Sequence, residues 1–117
     1  MDIPTDAVRL RLYVGEDKRH GDRTLYEAIA LKARDLRLAG VTVVRGTLGF
    51  GRSTRLHTAK VLFSEDLPMT IEIIDAESKI NAFLDLLQDV PDIGLVTLER
   101  VTVIRGGGAP TGGGATS

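Results

Sequence analysis

The chain has no cysteine and no tryptophan, two histidines, three phenylalanines and two tyrosines in 117 residues. Without cysteine there is no disulfide, no thiolate metal site and no thiol nucleophile. His20 and His57 stand far apart, with none of the close spacing of a metal-binding pair. With aromatics at 4% and hydrophobic residues at 43% of the chain, a core must be built from aliphatic side chains. A net charge of −1 argues against nucleic-acid binding by bulk charge, though not against a local basic pocket. No apolar run approaches the ~20 residues that span a bilayer, and the N-terminus lacks an apolar signal core. The expectation is a cytoplasmic protein with no membrane insertion. Its length suits one domain, burying roughly two-thirds of the unfolded surface.

Residues 1–6 form a short polar lead. Val8, Leu10, Leu12 and Val14 alternate with Arg9, Arg11 and Tyr13, the period of a strand with one buried face. The charged run 15–23 reads as a solvated turn, with His20 exposed. Thr24 and Glu27 have capping-box spacing, and Leu25, Ala28, Ile29, Ala33 and Leu36 follow helical spacing. This predicts a helix over 24–38, closed by Gly40 in left-handed backbone. A second strand covers 41–48. A third piece of strand is expected over 58–63, and another over 69–73, where Met69, Ile71 and Ile73 alternate with Thr70 and Glu72. Asp75 is placed to cap a helix over 76–88. The last strand spans 95–104. Its apolar phase switches at Glu99-Arg100, which predicts a bulge. Residues 106–117 hold six of the 13 glycines and little to bury, so a disordered tail follows a domain over 1–105.

The order β-α-β-β-α-β is the ferredoxin-like arrangement, an α+β fold with a four-stranded antiparallel sheet and two helices on one face. Two helices cover only one face, yet the strands carry apolar residues in both phases. An apolar second face marks an association surface. Arg9, Arg11 and Glu72 on that face are expected to pair between subunits of an oligomer.

The candidate site is the stretch from Gly46 to Arg52, with glycines at 46, 49 and 51. Glycines at a strand end leave backbone N–H groups free to turn toward an anion. Arg52 offers a planar fork of donors suited to phosphate. A tight turn or bulge is the competing reading. His57 suits a ligand-touching loop position; as a general base it lacks a nucleophile and an orienting carboxylate. Glu65 and Asp66 are adjacent and point apart in a strand, so they form no acid/base pair. Arg105 is either a solvated strand end or a phosphate ligand. Gly94 is either a plain turn or a backbone donor in the same site. There is no Walker loop and no aromatic pair for RNA.

Gly49-Phe50-Gly51-Arg52, then His57-Thr58, then the run from Asp66-Leu67-Pro68 to Ile73 resemble the PII signal-transduction proteins. The ending Val103-Ile104-Arg105-Gly106 is similar to that family's last strand. Leu25-Tyr26-Glu27-Ala28 and the run from Ala39 to Val43 resemble an uncharacterised PII-like branch. The likeness covers most of 8–105. It implies a homotrimer binding an adenine nucleotide (ATP, ADP or AMP) in clefts between subunits. Gly49, Phe50, Gly51 and Arg52 would line the cleft, with Gly94 and Arg105 from later segments and His57 and Lys60 nearby. It also implies a regulator that acts through a mobile loop, here 53–65, on a target protein: a transporter, a channel or an enzyme.

Two departures bear on this. The segment before the last strand reads Asp92-Ile93-Gly94-Leu95 where the family has Gly-Asp-Gly-Lys, so a phosphate-binding lysine is missing. Whether Lys60 takes its place is left open. Residues 53–66 hold no tyrosine, so tyrosine nucleotidylation is not expected. The alternatives are a CutA-like trimer responding to a divalent metal or small anion, and a small phosphate hydrolase. The first has few ligands and the second lacks a nucleophile, so no enzyme is expected.

Overall fold

Alternation of apolar and polar side chains from Asp6 to Gly15 produces β1 (Asp6–Gly15), the longest strand of the fold. In the computed structural model, which describes residues 4–46, 48–49, 57–58 and 67–106, β1 lies inside the sheet. The charged run after it folds back as a two-stranded hairpin, β2 (Arg19–His20) and β3 (Arg23–Thr24), about Gly21 at φ 68°. His20 is exposed, as expected. Thr24 caps α1 (Leu25–Asp35), its hydroxyl accepting from the Glu27 N–H. β4 (Val41–Arg45) follows, then the short strands β5 (Leu48–Gly49) and β6 (His57–Thr58), which pair with each other. β7 (Pro68–Asp75), α2 (Glu77–Leu87) and β8 (Val96–Thr102) complete the chain. The main sheet is antiparallel, in the order β4-β7-β1-β8. This is the ferredoxin-like order, with both helices packed on one face.

That face holds the core. Leu10, Leu12, Ile71 and Ile73 from the two central strands meet Leu25 and Ile29 of α1 and Ile80 and Phe83 of α2, all buried. Asp75 is the buried polar exception. One carboxylate oxygen accepts from Ala39 N–H at 2.8 Å and the other from Ala76 N–H at 2.7 Å. The cap residue of α2 is therefore Ala76, and Asp75 sits one position outside it. Its carboxylate ties the end of β7 to the connection between α1 and β4.

Three further local expectations are corrected. α1 ends at Asp35, and Arg37, not Gly40, takes the left-handed position, at φ 61°. Arg37 N–H donates to Arg34 O and Leu38 N–H to Ala33 O, the paired bonds of a Schellman close. Leu38 is buried and fixes the stop, so apolar burial chose the terminator over glycine's backbone freedom. Second, β8 has no bulge: Leu98, Glu99, Arg100 and Val101 face Leu10, Arg9, Val8 and Ala7 in unbroken register. Its apolar residues simply lie on both faces. Val96 and Leu98 share the helix side with Leu12 and Leu10 but remain 41% and 44% exposed, uncovered at the sheet edge.

Third, the open-face charges pair within the chain. Arg9 Nη2 donates to Glu99 at 2.7 Å and Arg11 Nε to Glu72 at 3.0 Å. Arg11 also reaches Glu99 at 3.4 Å, while Arg9 Nε stays 4.0 Å from Glu72 and has no hydrogen-bond partner among the described residues. The register dictates this square, with Arg11 opposite Glu72 and Arg9 opposite Glu99. The hydrogen bond to Glu72 raises the Arg11 pKa, and the one from Arg9 lowers that of Glu99.

Candidate functional site at the glycine rim

Antiparallel pairing brings the ends of four strands to one rim. Gly46 N–H donates to Pro68 O at 2.7 Å, Pro68 lies opposite Gly15, and Gly94 N–H donates to Tyr13 O at 2.8 Å. Two of these glycines are required by close packing, Gly46 against the Pro68 ring and Gly94 against the Tyr13 main chain. A Cβ on Gly46 would stand 2.8 Å from Pro68 Cγ, and one on Gly94 would stand 2.9 Å from Tyr13 O. At both positions the space a side chain would fill is taken by a neighbouring strand, so these glycines let the strand ends pack closely.

β4 ends at Arg45, before Gly46, so the strand expected over 41–48 stops three residues early. Leu48 and Gly49 form β5 in a separate two-stranded sheet, and Gly49 lies opposite His57 of β6. Two expected site residues, one from each side of Phe50-Gly51-Arg52 in the sequence, thus stand side by side. Phe50, Gly51, Arg52 and Lys60 lie outside the described residues, as do most of the expected strand over 58–63, the segment 53–56 and the tail beyond Gly106.

Gly94 is at the same rim, but its amide is already taken by Tyr13 O, so its contribution there is clearance rather than donation. Arg105 is at the other end. β8 runs antiparallel to β1, and Val103 N–H donates to Thr5 O, which carries the chain past the start of β1. The largely extended chain from Gly94 to Arg105 spans roughly 30 Å at strand rise. Within one protomer the two cannot touch one ligand.

The rim also carries two residues that the sequence analysis did not single out. Arg45 ends β4, and its Nε lies 3.0 Å and its Nη2 3.2 Å from the two carboxylate oxygens of Glu16. Arg45 continues the phase of Val41 and Val43, which was the signal in the sequence: a charge where alternation calls for an apolar residue at a strand end. Glu16 was hidden in a charged run. Among the described residues, no group of three or more His, Asp or Glu is placed to hold a metal ion. Among the same residues no helix is long and apolar enough to cross a membrane.

Comparison with known proteins agrees with this fold. The family model described as DUF190, Uncharacterized ACR, COG1993, matches residues 7–103. A UPF0166 protein from Aquifex aeolicus (strain VF5) is 34% identical over 96 residues, covering 81% of this chain and 90% of the relative. A second UPF0166 match from that organism is 30% identical over 67 residues, 56% of this chain and 70% of the relative. Among solved structures, CPII, a nitrogen regulatory PII-like protein from Thiomonas intermedia K12 bound to ADP, AMP and bicarbonate, superposes with a TM-score of 0.66. The identity is 17%, over 86% of this chain and 90% of that one. A PII-like signaling protein of provisional assignment from Thermus thermophilus gives 0.61 at 18% identity, over 89% and 94%. The chain belongs to the DUF190 family, an uncharacterised family whose fold here is that of the PII-like proteins.

Proposed function

We propose that this chain is a cytoplasmic regulatory protein without chemistry of its own. It binds an adenine nucleotide (ATP, ADP or AMP) at the glycine rim, between copies in a homotrimer, and signals to a target protein through residues 53–65. The observation that carries this reading is the pairing of Gly49 with His57, two site candidates that stand on either side of Phe50-Gly51-Arg52 in the sequence. The nucleotide seen in CPII, of the same fold, supports it further.

The opposite placement of Arg105 supports a shared site. Arg105 joins the phosphates only from a neighbouring copy, whose own far end must abut this rim. The uncovered open face, with Tyr13, Val44 and Ile74 around the charge square, is the surface that buries in such an assembly. Light scattering on the purified protein reads three copies; a monomer across micromolar concentrations sinks the shared site.

Arg52 carries most of the phosphate recognition. A charge-assisted bond contributes about 1.5–3 kcal/mol, so Arg52→Ala weakens ATP or ADP binding roughly ten- to a hundredfold in calorimetry. Arg52→Lys rescues part of the loss, because ammonium cannot bridge two oxygens. Unchanged affinity in Arg52→Ala moves the phosphates toward Arg105 or Lys60. A wild-type chain that binds no adenine nucleotide ends the reading. Protease cutting within 53–65 slows when nucleotide is added, and equal cutting counts against a sensor loop. The glycine-rich residues 106–117 cannot offset an ordering cost of about 1–2 kcal/mol each, so their removal leaves melting and assembly unchanged.

A further inference from the structure

The rim holds a guanidinium that the site as described does not use. Arg45 stands one residue before Gly46, and its fork meets both oxygens of Glu16 at 3.0 and 3.2 Å. The Arg45 side chain is 55% exposed while that of Glu16 is 25% exposed, so the cation is the accessible member of the pair. Glu16 is fixed through its main chain, its N–H donating to Leu67 O at 2.8 Å, and only its side chain is free to swing.

We propose that Arg45 is a second phosphate-binding residue of the nucleotide site, held by Glu16 in the free protein and transferred to the phosphates when ligand arrives. This rests on the nucleotide reading above. The Nε–Nη2 edge that grips a carboxylate matches two phosphate oxygens equally well. An exposed ion pair contributes little on balance, so a di- or triphosphate of higher charge displaces one carboxylate at small cost.

The test is calorimetric titration of the full chain with ATP, ADP, adenosine and inorganic tripolyphosphate, in wild type, Glu16→Gln, Arg45→Gln and the double variant. Glu16→Gln frees the guanidinium and tightens ATP, ADP and tripolyphosphate binding by roughly two- to fivefold, the yield of releasing an exposed pair. Arg45→Gln weakens them by about tenfold or more and abolishes the gain from Glu16→Gln. Adenosine, without phosphates, responds to neither. The opposite signs are decisive, since a pair that merely braces the fold moves affinity the same way from either side. Arg45→Lys, expected to retain part of the binding, serves if Arg45→Gln fails to fold. If wild type binds nucleotide and the two variants shift together or not at all, the role of Arg45 is refuted and the sensor reading stands. If wild type binds tripolyphosphate with opposite-sign variants but no nucleotide, the Arg45 role stands and the nucleotide reading falls. If it binds neither, both fall.

Discussion

The two faces of the sheet are built on opposite principles from the same strands. On the helix side, Leu10 and Leu12 of β1 and Ile71 and Ile73 of β7 are buried against α1 and α2. On the other side the residues between them, Arg9, Arg11 and Glu72, join Glu99 in a square of charges. The helix face supplies stability, because apolar area removed from water contributes about 25 cal/mol per Å². The open face supplies register. A one-residue slip of β1 against β7 would turn Arg11 into the core and part it from Glu72. Exposed ion pairs add little stability, so a square of this kind serves specificity of pairing more than strength.

Removing a large side chain from the helix face gives the largest effect. Phe83→Ala should cost about 3–5 kcal/mol in urea denaturation, the range for a buried aromatic that leaves a cavity. A loss below about 1 kcal/mol would mean that the core is not on that face. Asp75→Ala comes next, since it leaves the Ala39 and Ala76 amides without their acceptor, at about 1–3 kcal/mol for an unsatisfied buried group. Hydrogen exchange should show faster opening at both amides in that variant; unchanged exchange would remove Asp75 as the tie.

The open face responds to pH. Glu99 has a lowered pKa, so the folded state binds its proton less readily than the unfolded state does. Its contribution is present above the ordinary carboxylate pKa and is lost as pH falls through the lowered value. Arg11 has a raised pKa, and its contribution persists at every pH below the ordinary arginine value. Denaturation of wild type and Glu99→Gln from about pH 6 to about pH 3 should therefore converge at the acid end. A difference that grows on acidification contradicts the square. The smallest change is a gain. Arg37→Gly relieves left-handed backbone at a non-glycine residue and should stabilise by up to about 1 kcal/mol, read as a small rise in urea midpoint. A loss would show that the arginine side chain contributes more than its backbone strain costs.

Much of the fold was legible because the deciding forces are local. Alternation in Val8–Val14 and Met69–Ile73 and the helical spacing of Leu25, Ile29 and Ala33 encode which face each element buries, whatever lies opposite. The ends of elements were less legible. Gly40 had the right chemistry to stop α1, but the burial of Leu38 moved the stop to Arg37, and burial is a property of the assembled core. The phase switch in β8 looked like a bulge for a similar reason. No sequence pattern says that α2 leaves Val96 and Leu98 uncovered at a sheet edge.

The site divides in the same way. The residue types by themselves made Gly49 to Arg52 a candidate for a phosphate beside the reading of a tight turn, because glycine conformational freedom and the guanidinium fork are intrinsic to those residues. Only the tertiary structure decided which of the candidates meet. Antiparallel register set Gly49 beside His57, engaged the Gly94 amide with Tyr13, and carried Arg105 to the far end of the sheet. It closed Arg9, Arg11, Glu72 and Glu99 into one square and joined Arg45 to Glu16 across the rim. Apart from the short β5–β6 pairing, these placements join or part residues distant in the chain, fixed by which strands become neighbours, and strand order is an outcome of burying one shared core.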